Sequence, residues 1–250
     1  MGTSSEISGL GDNQMENKKT KKILLGVTGA SGQIYALKVL QIIQDLKSRE
    51  RLQADAHTER LQADAHTERL QANAHTERLQ GDAHTERLQA GAHTDSSQAD
   101  FHIDIVFTDT GKIVWEDELG QPVPGGALNN NSYYHPFASG SNAADVMIIL
   151  PATMGTIGRI ACGATADLIT RAADVMLKER RPLIICPRET PFNLIHLRNL
   201  TTLAEAGALI APASPSFYTH PKDMEELTET FARRIINLAG IEVPLPKFGG

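Results

Sequence analysis

The chain has 250 residues, 41% of them hydrophobic, and its 24 basic and 30 acidic side chains give a formal net charge of -6. That length supports one sizeable core or two small ones, and the acidic balance suggests no polyanion-binding face, so no nucleic acid partner is expected. No apolar run reaches the ~18 residues a membrane span needs, and the two cysteines, Cys162 and Cys186, lie in apolar sequence and read as reduced core residues of a cytoplasmic protein.

Met1–Thr20 is polar, lacks the apolar centre of a secretory signal, and reads as a disordered tail. It starts Met-Gly, but Glu6 stands where a myristoylation signal needs Ser or Thr. Lys22–Thr28 is a first strand, Gly29-Ala30-Ser31-Gly32 a tight turn, and Gln33–Leu46 a helix with Ala36, Leu37, Val39, Leu40 and Ile43 at helical spacing. Residues 51–94 hold five copies of a nine-residue unit, RLQADAHTE, with small changes. Nine residues at ~100° each set successive copies about 180° apart on a helix. Leu52, Leu61, Leu70, Leu79 and Leu88 therefore alternate between opposite sides and form no seam. His57, His66, His75, His84 and His93 point apart for the same reason, which disfavours a metal tract. Composition favours helix locally, so the insert is an exposed helix or disordered. Its removal would join Lys47 to about Asp100 as an ordinary helix-to-strand connection.

Phe101–Phe107 is a second strand and Thr110–Glu118 a short helix with an acidic end. Leu119–Phe137, rich in Gly, Pro and Asn, is loop. Asp145–Leu150 is a third strand, and Thr153–Lys178 is helical in two pieces around Gly163. Leu183–Cys186 is a strand, Phe192–Ala206 contains a helix, and Leu209–Pro212 continues the alternation. Pro221–Ala239 is the last helix, with Met224, Leu227, Phe231 and Ile235 on one face. Strands alternating with helices predict a doubly wound parallel sheet in a three-layer α/β/α arrangement. The strand ends, and the loops after them, then share one edge. Four such loops carry chemistry: Thr28–Gly32, Thr108–Gly111, Pro151–Thr156 and Pro187–Pro191.

Gly26-Val-Thr-Gly29-Ala-Ser-Gly32 opens a helix straight after a strand, where backbone N–H groups favour an anion or electron-rich oxygen. The spacing is not GxGxxG, and Asp109 is a weak ribose ligand, so a mononucleotide suits better than NAD. Thr153 and Thr156 offer a second anion seat, unless Thr153 is only an N-cap. At Pro187-Arg188-Glu189 a strand ends in a cation beside a carboxylate; Arg grips phosphate and Glu moves protons. Arg171 and Lys178, seven apart, share a helix face and suggest a second phosphate, to which Tyr218 and Arg234 could add an aromatic wall and a cation.

GVTGASGQIYAL, the ASGS of Ala138–Ser141, ADLITRAADVMLKERRPL (Ala166–Leu183), PRETPFNLIHLRNL (Pro187–Leu200) and PSFYTHP (Pro215–Pro221) together resemble the flavin prenyltransferases, the UbiX-like flavoproteins. The resemblance covers about Lys21–Leu245 outside the insert. It implies a Rossmann-like or flavodoxin-like domain, interrupted by the repeat, that assembles as a homo-oligomer, a dodecamer in this family, with sites at subunit contacts. It implies a metal-independent transferase that joins the dimethylallyl group of dimethylallyl phosphate to N5 and C6 of reduced FMN, for UbiD-type decarboxylases. Carried over, Gly29, Ala30, Ser31, Thr108, Thr153, Met154, Gly155, Thr156 and Arg188 would hold FMN. Arg171, Lys178, Tyr218 and Arg234 would hold the substrate phosphate, partly from neighbouring subunits. Ser31, Glu118 and Glu189 would be catalytic, Glu189 toward the departing phosphate and Glu118 toward the C6 proton. The chain departs from the family at Thr108, where relatives have Ser, at Thr165-Ala166-Asp167, where relatives often have Asn, and in the insert. An FMN-dependent cysteine decarboxylase is the rival enzyme, but its Pro-x-Met-Asn motif is absent and His135 is the only nearby His. A non-catalytic FMN-binding protein is the third reading.

Overall fold

The computed structural model describes residues 20–78 and 101–246. The tail and the later copies of the repeat lie outside the described residues. Six strands form one parallel sheet in the order β3-β2-β1-β4-β5-β6. They are β1 (Lys21–Val27), β2 (Phe101–Phe107), β3 (Leu128–Asn129), β4 (Val146–Ala152), β5 (Leu183–Pro187) and β6 (Leu209–Ile210). The helices are α1 (Gln33–Arg78), α2 (Asp109–Leu119), α3 (Met154–Ala161), α4 (Leu168–Lys178), α5 (Leu194–Glu205) and α6 (Met224–Leu238).

The central strands are apolar on both faces, as burial between two helix layers demands. Every residue of β4 is buried. Ile23, Leu25 and Val27 face α1, α2 and α6 through Val39, Ile43, Trp115, Phe231 and Ile235. Leu24, Met147 and Ile149 face α3, α4 and α5 through Ile157, Ile169, Val175 and Leu203. The three-layer α/β/α expectation therefore holds. Trp115 is fully buried, meets Phe107 edge to face at 5.3 Å, and donates its indole N–H to Pro122 O at 3.2 Å. Such a ring pair adds about 0.5–1.5 kcal/mol beyond its area. Buried Lys38 of α1 reaches Glu225 of α6 at 2.6 Å and ties that layer together.

Several boundaries differ from the sequence reading. The helix expected to end at Leu46 continues to Arg78. No Gly or Pro interrupts residues 33–78, and helix-favouring residues fill the first repeats. Leu52 and Leu61 are 69% and 56% exposed, as the absence of a seam requires. The stretch read as loop contains β3, whose two residues pair with Val106 and Phe107 and are too few to show alternation. The expected third strand is β4 and runs on to Ala152. Met224 is 66% exposed, so the buried face of α6 starts a turn later, at Thr228 and Phe231. Cys186 is buried as expected, whereas Cys162 is exposed at the C-terminal cap of α3. Among the described residues no helix is long and apolar enough to cross a membrane.

Candidate active site at the strand ends

The strand order reverses between β1 and β4, and in open parallel sheets the crevice outside that switch point receives the ligand. Thr28, fully buried, joins its two sides. Its hydroxyl donates to Pro151 O at 2.7 Å and accepts from Thr153 N at 2.8 Å. Gln33, also fully buried, donates from its side-chain amide to Thr28 O and Ala30 O, both at 2.8 Å. These bonds hold Gly29–Gly32 as a fixed arch with Ser31 exposed at its crown. A Cβ on Gly29 would meet Thr110 Cγ2 at 2.5 Å, so only glycine lets the arch close on α2.

The α1 N-terminus at this arch holds an anion supplied by the protein. The Glu118 carboxylate accepts from Gly32 N and Gln33 N, each at 2.9 Å. A carboxylate on two helix-start amides is a charge-assisted arrangement favoured by the macrodipole. The contact picks Glu118 out from Glu116 and Asp117 as the acidic residue facing the loop.

Thr108 and Thr153 cap α2 and α3, accepting from Gly111 N and Thr156 N. The Thr153 and Thr156 hydroxyls lie 3.0 Å apart, and Arg159 donates to Thr156 at 3.2 Å. Of the two readings of Thr153, the cap is the one seen. Met154 is buried at the start of α3, with Gly155 beside it exposed. Asp109 is paired with Lys112 at 3.3 Å on the surface.

The Arg188-Glu189 corner follows β5 on the same edge. Glu189 accepts from Thr190 N at 3.0 Å. A Cβ placed on Gly32 would sit 3.1 Å from the Tyr35 ring and 3.8 Å from Arg188 Cγ, so those side chains converge on the arch. Desolvation raises the Tyr35 phenol above its ordinary pKa, with the Arg188 charge opposing. Tyr35 meets Phe231 of α6 at 4.9 Å between ring centroids. Phe231 in turn lines a cavity of about 720 Å3 with Tyr218, Arg234, Ile235, Pro212 and Leu245. Among the described residues, neither Arg188 nor Arg234 is paired with a carboxylate. Two exposed cations thus flank one aromatic partition, without a counter-anion of their own.

The other two cations expected at the substrate phosphate lie elsewhere in the chain. Arg171 and Lys178 belong to α4, in the layer opposite α6. Arg171 donates to Ala138 O at 3.1 Å and pairs with Asp174 at 3.0 Å. Lys178 pairs with Glu179 at 3.3 Å at the helix end that leads into the start of β5. One chain therefore does not gather all four. His135 spends its Nδ1 accepting from Phe137 N, which caps a one-turn helix. Sequence reasoning marked Thr28 only as the start of a loop and missed Gln33 and Tyr35 as site-forming residues. Their signal was position: each lies within four residues of the glycine arch.

Arch, switch point and unpaired arginines define a doubly wound α/β protein shaped to receive a mononucleotide at its strand ends. The flavoprotein family model matches residues 12–235. Flavin prenyltransferase UbiX of Pseudomonas aeruginosa is 48% identical over 123 residues, 49% of this chain and 59% of that protein. Flavin prenyltransferase UbiX of Methanothermobacter thermautotrophicus is 37% identical over 146 residues, 55% of this chain and 75% of that protein. The crystal structure of AnUbiX (PadA1) in complex with FMN and dimethylallyl pyrophosphate superimposes with a TM-score of 0.67 at 26% identity, covering 93% of this chain and 99% of that one. This chain belongs to the flavoprotein family and, within it, to the UbiX-like flavin prenyltransferases. Its matched segments span as little as about half of the curated relatives' length, 54% in two cases.

Proposed function

We propose that this protein is a cytoplasmic flavin prenyltransferase. It joins the dimethylallyl group of dimethylallyl phosphate to N5 and C6 of reduced FMN, and the product serves UbiD-type decarboxylases. The observation that carries the reading is the pair of arginines, Arg188 and Arg234, that have no carboxylate partner among the described residues and lie on either side of the Tyr35–Phe231 contact beside the glycine arch. The free thiols suit a reducing compartment.

The residues fit a flavin mononucleotide. The crevice lies at the switch point, Ser31 is exposed at the crown of the arch, and Arg188 is available to an anion or ring oxygen. Reduced FMN supplies the nucleophilic nitrogen and carbon to which the dimethylallyl group is joined. Gly29, Ala30, Ser31, Thr108, the Thr153–Thr156 turn and Arg188 would hold it. Arg234 and Tyr218 hold the phosphate of the donor, and the cation offsets the charge that develops as the carbon–oxygen bond breaks. Glu189 hands a proton to the departing phosphate, and Ser31 carries one away from N5. The bond to C6 requires a proton added to the double bond of the transferred group and one lost from C6; Glu118, whose seat on two amides fixes where its carboxylate stands, would receive the latter. Apolar Phe231 and Ile235 keep water from the allylic carbon. Lys178 and Arg171 complete the phosphate site from a neighbouring copy in a homo-oligomer, a dodecamer by family resemblance. Exposed Leu194, Ile195 and Leu197 on α5 and Phe217 give such a contact apolar area.

The test is an anaerobic incubation with reduced FMN and the dimethylallyl mono- or diphosphate, read by mass spectrometry. A flavin heavier by one prenyl group is expected from the wild type, and Arg234→Ala should lower the rate about 100-fold. Unchanged flavin with both donors would reject the reading.

A further inference from the structure

Between the glycine arch and the cavity holding Arg234 stands Tyr35, a residue to which no role attaches so far. It lies in the first turn of α1, and its amide donates to Gly32 O at 3.1 Å. That bond places its ring over Gly32, whose φ of +98° already excludes other side chains. A Cβ there would meet Tyr35 Cδ2 at 3.1 Å and Cε2 at 3.2 Å. On its other side the ring meets Phe231 at 4.9 Å, with planes 61° apart. Phe231 is a wall of the Arg234 cavity. The stem of Arg188 comes within 3.8 Å of the same Gly32 point. One ring therefore touches the loop after β1, adjoins the arginine after β5, and braces α6.

We propose that Tyr35 is a positioning residue: its ring is the partition that sets the distance between the flavin loop and the prenyl-donor cavity and keeps the Arg188 side chain aimed at the arch. This rests on the prenyltransferase reading and deepens it. A donor must lie against the flavin with its reacting carbon about 3–3.5 Å from the attacked atom. Wedged between Gly32 and Phe231, the ring fixes the spacing of the two walls beside which that approach is made, and a flat ring does so with few rotatable bonds. Burial raises the pKa of the half-buried phenol, and the Arg188 charge opposes that shift.

The partition and a merely structural role separate in kinetics. Tyr35→Leu keeps apolar bulk but loses the flat ring, and Tyr35→Phe keeps the ring. For Tyr35→Leu we expect the KM for dimethylallyl phosphate to rise about ten-fold and kcat to fall by a similar factor. The absorbance of bound oxidised FMN should also shift, because Arg188 is released. Tyr35→Phe should recover both parameters to within about three-fold of wild type. Phe231→Leu, which removes the brace from the α6 side, should move KM in the same direction by a smaller factor and supplies the test if Tyr35→Leu does not fold. Wild-type KM and flavin spectrum in Tyr35→Leu, or in Phe231→Leu when that variant stands in for it, would overturn the proposal. So would equal impairment of the Leu and Phe variants. A wild-type protein that binds FMN but transfers no prenyl group would instead overturn the reading beneath it.

Discussion

Replacing Thr28 by Val tests whether the switch point is held by one hydroxyl. Valine has nearly the same shape, so the perturbation is the exchange of Oγ for a methyl group. Thr28 is fully buried, and its hydroxyl spans the loops after β1 and β4. Pro151 O keeps a partner in the variant, because Thr28 N also donates to it at 3.3 Å. Thr153 N loses its acceptor at 2.8 Å. A donor in this part-buried contact left without a partner costs about 1–3 kcal/mol, so the expected loss is about 2 kcal/mol. For a domain of this size that lowers the thermal midpoint by about 4–8 °C. Thr28→Ser is the control: it keeps both bonds and loses a methyl group worth about 1 kcal/mol. Calorimetry at one protein concentration, with FMN titration of each variant, decides the matter. Val should be less stable than Ser and bind FMN more weakly, since the cap of α3 moves with Thr153. A Val variant within 0.5 kcal/mol of wild type, a spread typical of surface changes, would refute the reasoning.

The two thiols should respond differently. Cys186 is fully buried and desolvation pushes its pKa far above the usual thiol range, while Cys162 is exposed. A disulfide-exchange reagent should therefore titrate one thiol in the native protein and two after denaturation; two native thiols would contradict the burial. The raised folded-state pKa also fixes a sign. Stability from the neutral Cys186 thiol is fully present below the unfolded value near 9 and is lost as pH rises above it, because the unfolded chain then holds fewer protons. Cys186→Ala should flatten that alkaline decline in a pH series of denaturation midpoints. Deleting residues 51–94 should leave the thermal midpoint within about 2 °C, because exposed surface positions contribute within about 0.5 kcal/mol; the described side chains from Arg51 to Asp64 are all exposed. A large drop would show that the insert packs on the domain.

The sequence alone determined the alternation of strands and helices, and with it the parallel sheet and the edge where its loops gather. Apolar runs such as Val146–Leu150 admit one environment, a strand covered on both faces. It also marked Gly29 and Gly32, since a close approach and a positive φ leave a signature in residue type. Element ends were less legible. Nothing in the helix-favouring repeat says where α1 stops, and two-residue β3 is defined by its neighbour β2. Tertiary structure alone decided which cations meet. Arg171 and Lys178 look like companions of Arg234 in sequence, but α4 and α6 cover opposite faces of the sheet. It also decided that Glu118 sits on the α1 amides and that Tyr35 stands between Gly32 and Phe231. Local pattern reports which face of an element is buried; the partner across the interface depends on strand order and layer, which form only when distant segments pack.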